Sequence, residues 1–196
     1  MPSADGPDLD TLLALFPPAT YIRSAEQTDA ETMPEPYRTL LVHEHHMTVT
    51  VERHHGDLVN VVVLQRRRDN STYARKILLA LQKTGKVVQF GLVRIHLEYC
   101  SKAVQAEILA QKTPLGRILI QHDVLRRIEP TAFLRVTPGP EMLGWFGLTG
   151  SRLTGGPAAP QQPGCSVTYG RLAIIHCDEK PAIELLEIVA PEPDVE

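Results

Sequence analysis

The sequence predicts an α+β protein, a mostly antiparallel sheet of about six strands with helices packed on it. Three observations predict it. Several stretches of strand length alternate apolar and polar residues or are rich in β-branched ones. Short turns at His54-His55-Gly56-Asp57, Asp69-Asn70, Lys83-Thr84-Gly85-Lys86 and Asp178-Glu179-Lys180 join such stretches and bring them together antiparallel. Segments with apolar residues on one helical side fall between them.

Residues 1–7 read as a frayed tail. Asp8 is placed to cap a short helix whose Leu9, Leu12, Leu13 and Phe16 share a face, and Pro17-Pro18 ends it. Residues 23–36 are polar, with Pro34 and Pro36, and read as a surface connection. Tyr37 to Leu41 fits a helical turn. Met47, Val49 and Val51 alternate with Thr48, Thr50 and Glu52, which predicts a first strand. Leu58–Gln65, Thr72–Leu81 and Val87–Leu97 follow as strands. Ser101 is placed to cap a helix running to about Gln111. Pro114 cannot extend that helix, and Gly116 permits a tight corner at Lys112-Thr113-Pro114-Leu115-Gly116-Arg117. Backbone N–H groups free at such a corner suit a carboxylate, although an ordinary helix connection has the same pattern. Ala132–Val136 predicts a strand, residues 137–166 a long Pro- and Gly-rich loop, and Val167–Cys177 and Ala182–Val189 the last two strands. An acidic tail closes the chain. The organisation expected is residues 1–36 as helix and connection, 37–191 as one domain, and 192–196 as tail.

Composition narrows the function. The 196 residues are 43% apolar and 22% charged, with a formal net charge of -3, enough for a core and unsuited to broad nucleic-acid binding. Aromatic content of 5% leaves little for base stacking. The three cysteines, Cys100, Cys165 and Cys177, show no CxxC spacing, which fits a reducing, cytoplasmic setting. No apolar run reaches the length of a membrane span, and no N-terminal stretch reads as a secretory signal. No GxxxxGKS or GxGxxG motif points to a nucleotide, and no cofactor is expected.

Two residues stand out chemically. Arg75 shares a strand face with Tyr73, Ile77 and Leu79, while Lys76 points the other way, and either cation could be the solvated one. An inward Arg75 needs a partner, and its planar fork matches a carboxylate, whether a protein salt bridge or a ligand. Glu187 shares a face with Ile183, Leu185 and Val189. In an apolar pocket its carboxyl would hold a proton as a general acid needs; on an exposed edge it would be inert. Glu184, nearer the turn, is expected closer to solvent. His43-Glu44-His45-His46 and His54-His55 invite a metal reading, since His43 and His45 would share a strand face. HExxH is absent, and no metal is expected. Arg66-Arg67-Arg68 reads as a solvated strand end.

Four motifs, in order, resemble the chorismate pyruvate-lyase family. They are Leu40-Leu41-Val42 to Met47-Thr48, Tyr73-Ala74-Arg75-Lys76-Ile77-Leu78-Leu79, Lys112 to Leu119, and Glu187-Ile188-Val189-Ala190-Pro191. The resemblance implies conversion of chorismate to 4-hydroxybenzoate and pyruvate, for quinone biosynthesis, without a cofactor. It implies that Arg75 binds the ring carboxylate with help from the backbone at Leu115 and Gly116. The Met47 backbone would line the pocket, and Glu187 would bond the oxygen at the carbon losing its enolpyruvyl group. The family's arginine after the small residue of the fourth strand is missing. Here Gly91 is followed by Leu92, and the nearest cation is Arg94. The alternative is a non-enzymatic binder of a small aromatic carboxylate, similar to ligand-sensing domains of transcription regulators. No helix-turn-helix is legible, and a monomer or a homodimer is compatible with the pattern.

Overall fold

Strand-forming stretches with apolar residues on both faces must be covered on both sides, and the chain supplies helices for each. The computed structural model describes residues 6–148 and 167–192. In chain order its elements are α1 (Leu9–Leu13), β1 (Ile22–Thr28), α2 (Tyr37–Leu41), α3 (Met47–His55), β2 (Val59–Asp69), β3 (Thr72–Leu81) and β4 (Val87–His96). Then come α4 (Lys102–Ala110), α5 (Leu115–Gln121), β5 (Arg126–Pro138), α6 (Pro140–Trp145), β6 (Thr168–Cys177) and β7 (Lys180–Val189). The strands form one seven-stranded sheet in the order β1-β5-β6-β7-β4-β3-β2, with every neighbouring pair antiparallel. The α+β architecture expected from the sequence is the one found.

Alternation sorts the side chains onto two faces. Tyr73, Val93, Ile183, Leu185, Ala173 and Ile175 meet Val104 and Ile108 of α4 and Ile118 and Leu119 of α5. Alongside, Ile77, Leu79 and Val189 meet Leu40 and Leu41 of α2 and Met47 and Val51 of α3. On the opposite face Ala74, Leu78, Phe90, Leu92, Leu186 and Ile188 pack on Leu12 of α1 and Met142 of α6. The predicted caps are in place: Asp8 accepts from Thr11 N at 2.9 Å and Ser101 from Val104 N at 3.3 Å. Gln111 takes a left-handed conformation (φ 61°) and ends α4 three residues before Pro114.

Four expectations need correction. Met47–Glu52 is not a strand but most of α3. The positions it buries, Met47, Thr48 and Val51, follow helical spacing, and Gly56 (φ 63°) terminates it. The first part of residues 23–36, read as a surface connection, lies in edge strand β1. Backbone pairing to β5 suffices there, and an edge with one open side tolerates polar side chains. β5 runs well beyond Ala132–Val136 and carries Pro130 at a register shift, where a missing N–H costs little. The stretch expected to be all loop from residue 137 holds the end of β5 and then α6, while residues 149–166 and Cys165 lie outside the described part, as do most of both tails. Arg66, Arg67 and Arg68 are exposed at the end of β2, as read from the sequence. Among the described residues no helix is long and apolar enough to cross a membrane.

Candidate functional site

The register of the sheet brings distant residues into rows. Ile77 pairs with Gly91, Gly91 with Glu187, and Glu187 with Arg171, so one row crosses β3, β4, β7 and β6. The next row is Arg75, Val93, Leu185 and Ala173. At Gly91 no side chain rises from the middle of the sheet, and a Cβ there would come within 3.2 Å of Ile77 Cγ1. The gap leaves a small cavity of about 40 Å3 above β3, β4 and β7. Its floor includes Arg75, Ile77, Gln89, Gly91, Leu185 and Glu187, and its roof is His46, Met47 and Thr48 with Leu115 and Gly116. Pro114 is the N-cap residue of α5, so Leu115 and Gly116 occupy the first turn, where backbone N–H groups have no partner inside the helix. The five residues singled out from the sequence (Met47, Arg75, Leu115, Gly116 and Glu187) therefore line one space.

Arg75 is fully buried, and none of its three guanidinium nitrogens meets a hydrogen-bond partner. Burial lowers its pKa, with a small opposing contribution from Tyr73. An unpaired buried cation of this kind is costly and persists only where something compensates it. Gln89, 2% exposed, presents a side-chain oxygen that likewise lacks a partner. The cavity thus holds an orphan donor group and an orphan acceptor within an apolar wall of Ile77, Leu79, Val93, Ile175 and Leu185. The sequence left open which of Arg75 and Lys76 is solvated; both are buried. Lys76 lies on the other face with its ammonium 4.8 Å from the Tyr21 ring centroid and 5.7 Å from that of Trp145.

Glu187 is occupied. Arg171 Nε donates to its Oε2 at 2.8 Å. The same guanidinium donates to the carbonyls of Leu41 (3.2 Å), His43 (2.8 Å) and His45 (3.2 Å). One buried arginine therefore pins the α2–α3 connection, whose last residue roofs the cavity, to the sheet. Sequence reasoning missed Arg171; the only signal was a cation in an apolar stretch of the penultimate strand. Glu184 was expected near solvent, yet it is 1% exposed. β7 is a central strand covered on both sides, so proximity to its turn gives no access. Arg94 donates to Glu184 through two nitrogens, Nη2 at 2.8 Å, and His96 also contacts it. Burial pushes the Glu184 carboxyl up, but the neighbouring His96, at 3.5 Å, and the hydrogen bonds and charge of Arg94 outweigh it, leaving about 2. Arg94 is thus committed to the face opposite the cavity and does not stand in for the arginine absent at Leu92.

His46 links the cavity to the surface. Its Nε2 accepts from Arg126 Nε at 2.6 Å, and His46 borders both the small cavity and a larger open cleft between α3 and the start of β5. Burial, then the charges of Arg126 and Arg171, hold its pKa at about 4, so the ring is neutral near pH 7. His43 is held at about 4 by burial and Arg171. His43 and His45 lie in the connection before α3 rather than on a strand, with their rings stacked at 5.6 Å.

Solved structures similar to this chain include three at low identity. PhnF from Mycobacterium smegmatis shares 9% identity with a TM-score of 0.49, over 73% of this chain and 62% of that one. The gene product SA0254 from Staphylococcus aureus shares 10% with a TM-score of 0.44, over 67% and 82%. YydK from Bacillus subtilis, described as a possible transcriptional regulator, shares 10% with a TM-score of 0.40, over 70% and 61%. The chain spans less than two thirds of the length of PhnF and of YydK. No protein-family model and no curated sequence matches it.

Proposed function

We propose that this chain binds a small aromatic carboxylate, of the 4-hydroxybenzoate type, in the cavity above β3, β4 and β7. The observation that carries the reading is Arg75, a buried guanidinium with three nitrogens unpaired on a small, largely apolar cavity. A carboxylate there would accept the two parallel N–H bonds of the fork and neutralise the charge. The apolar wall suits a ring, and the orphan oxygen of Gln89 suits a hydroxyl donor on it. About 40 Å3 is little more than the volume of one water, so a ring enters only if the roof side chains shift. Calorimetric titration with 4-hydroxybenzoate, benzoate and phenol tests this. Stoichiometric binding of 4-hydroxybenzoate, weaker binding of benzoate and the weakest of phenol are expected. Absence of binding by both carboxylates at millimolar concentration would sink it.

A second reading is favoured by Glu187, which lies on the same cavity wall beside the α5 corner. It is the chorismate lyase reaction, releasing pyruvate and 4-hydroxybenzoate without a cofactor, with 4-hydroxybenzoate as product rather than effector. In that reaction Arg75 would hold the ring carboxylate and Glu187 would contact the leaving oxygen. Chorismate carries two carboxylates, whereas among the described residues lining the cavity Arg75 is the one unpaired guanidinium, and this weighs towards the binding reading. Incubation with chorismate, following aromatic product and pyruvate, separates the two.

A further inference from the structure

The far end of α3 carries a second group of polar side chains that the cavity does not use. His54 and His55 close the helix, and Glu192 follows β7. The Nε2 atoms of His54 and His55 lie 3.7 and 3.8 Å from Glu192 Oε1, and one ligand atom from each residue lies within 4.8 Å of the others. The side chains are mostly covered, at 29%, 12% and 15% exposure. Glu192 does not hang loose, because its backbone N–H donates to the Tyr37 hydroxyl at 2.8 Å.

We propose that His54, His55 and Glu192 bind a divalent transition-metal ion of the zinc type, leaving a coordination position open to water. Two imidazoles and a carboxylate are a donor set zinc takes in tetrahedral geometry. Ligands about 2.1 Å from a tetrahedral zinc sit roughly 3.4 Å apart, so the two histidine–glutamate separations are within a few tenths of an ångström of that spacing. The C-terminal end of α3, with its outward carbonyls, favours a cation at this end. Lys86 is the cation whose charge reaches His55, and the Glu192 carboxylate offsets it. A bound ion would tie the end of α3 to the segment after β7 and, through Tyr37, to α2. It would brace the helix whose first residues roof the cavity. The site does not depend on what the cavity binds.

The test uses the full chain dialysed against a chelator, then titrated with Zn2+ by calorimetry and with Co2+ by visible absorption. One equivalent bound in the micromolar range, with a rise in Tm, is expected. Removing a ligand weakens an ion more than removing an outer partner, so His55→Ala and Glu192→Gln should each weaken it at least about tenfold. The Tm rise should vanish in both, while His122→Ala leaves binding unchanged. His54→Asn, at the most exposed of the three positions, gives a further ligand deletion in a chain whose metal-free Tm confirms folding. No binding in this range overturns the proposal. So does binding that survives all three ligand variants, or that is lost instead in His43→Ala or His45→Ala.

Discussion

Arg75 and Glu187 line the same cavity, yet they are not each other's partner: Arg171 takes the Glu187 carboxylate at 2.8 Å, and the Arg75 guanidinium meets nothing. Opposite charges sharing one buried space would normally pair. Here one strand, β4, separates β3 from β7 and holds them roughly 10 Å apart, while Arg171 is the direct cross-strand neighbour of Glu187. The pairing leaves a buried cation without a hydrogen-bond partner.

Arg75→Met should therefore separate stability from binding. Replacing an unpaired buried charge with an apolar side chain of similar length is expected to stabilise the fold by about 1–3 kcal/mol. The same change should weaken 4-hydroxybenzoate binding by roughly 100-fold, since charge-assisted bonds contribute about 1.5–3 kcal/mol each. Thermal unfolding and calorimetry on one sample check both. A destabilised Arg75→Met would mean that the guanidinium has a structural partner.

Arg171→Met should do the reverse. It strands Glu187 in a buried position and frees the carbonyls of Leu41, His43 and His45, with an expected cost of about 3–5 kcal/mol. Faster hydrogen exchange along the α2–α3 connection would mark the lost clamp. Glu187→Gln keeps an acceptor for Arg171 and should cost less, about 1–2 kcal/mol. If chorismate is turned over, Glu187→Gln should lower the rate more than it weakens binding.

Glycine substitutions probe the roof and floor. At Gly116 a Cβ would lie 3.0 Å from His46 Cβ and 3.1 Å from Thr48 Oγ1, so Gly116→Ala must push His46 aside. A cost of about 1–3 kcal/mol is expected, together with altered ligand entry rates in stopped-flow measurements. Gly91→Ala meets the Ile77 side chain at 3.2 Å and narrows the floor. Its effect on affinity should exceed its effect on Tm.

Arg94→Gln tests the reading of the missing arginine. It breaks the buried pair with Glu184 and should destabilise the fold by about 3 kcal/mol. Binding of 4-hydroxybenzoate to the folded fraction should be unchanged. A large loss of affinity would place Arg94 in the ligand site after all.

Stability should fall with acid in two stages. The folded pKa values of His43 and His46, about 4, lie below the ordinary 6.5, so the neutral rings favour folding above pH 6.5, and that contribution is lost as pH falls towards 4. Glu184, at about 2 against 4.5, contributes stability that is present above pH 4.5 and lost as pH falls towards 2. Urea unfolding across pH 7 to 2 should show both, and His46→Gln should flatten the first stage.

Local pattern alone determined much of this protein. Alternation in Thr72–Leu81 and Ala182–Val189, and the short turns beside them, set those strands and put Arg75 on one face with Ile77 and Leu79, and Glu187 on one face with Leu185 and Val189, leaving open which faces are covered. The caps at Asp8 and Ser101 and the stop before Pro114 were equally legible, because they depend on a few adjacent residues. Tertiary structure decided the rest. Met47–Val51 fits a period of two as well as a helix, and only packing over Ile77 and Leu79 selects α3. β1 carries too few apolar residues to announce itself and exists through its backbone bonds to β5. The partners of Glu187, Glu184 and Arg94 follow from the register between strands far apart in the chain, which no local spacing encodes. Which cation pairs and which stays free is a property of the assembled sheet, since desolvation and cross-strand geometry act only once the strands meet.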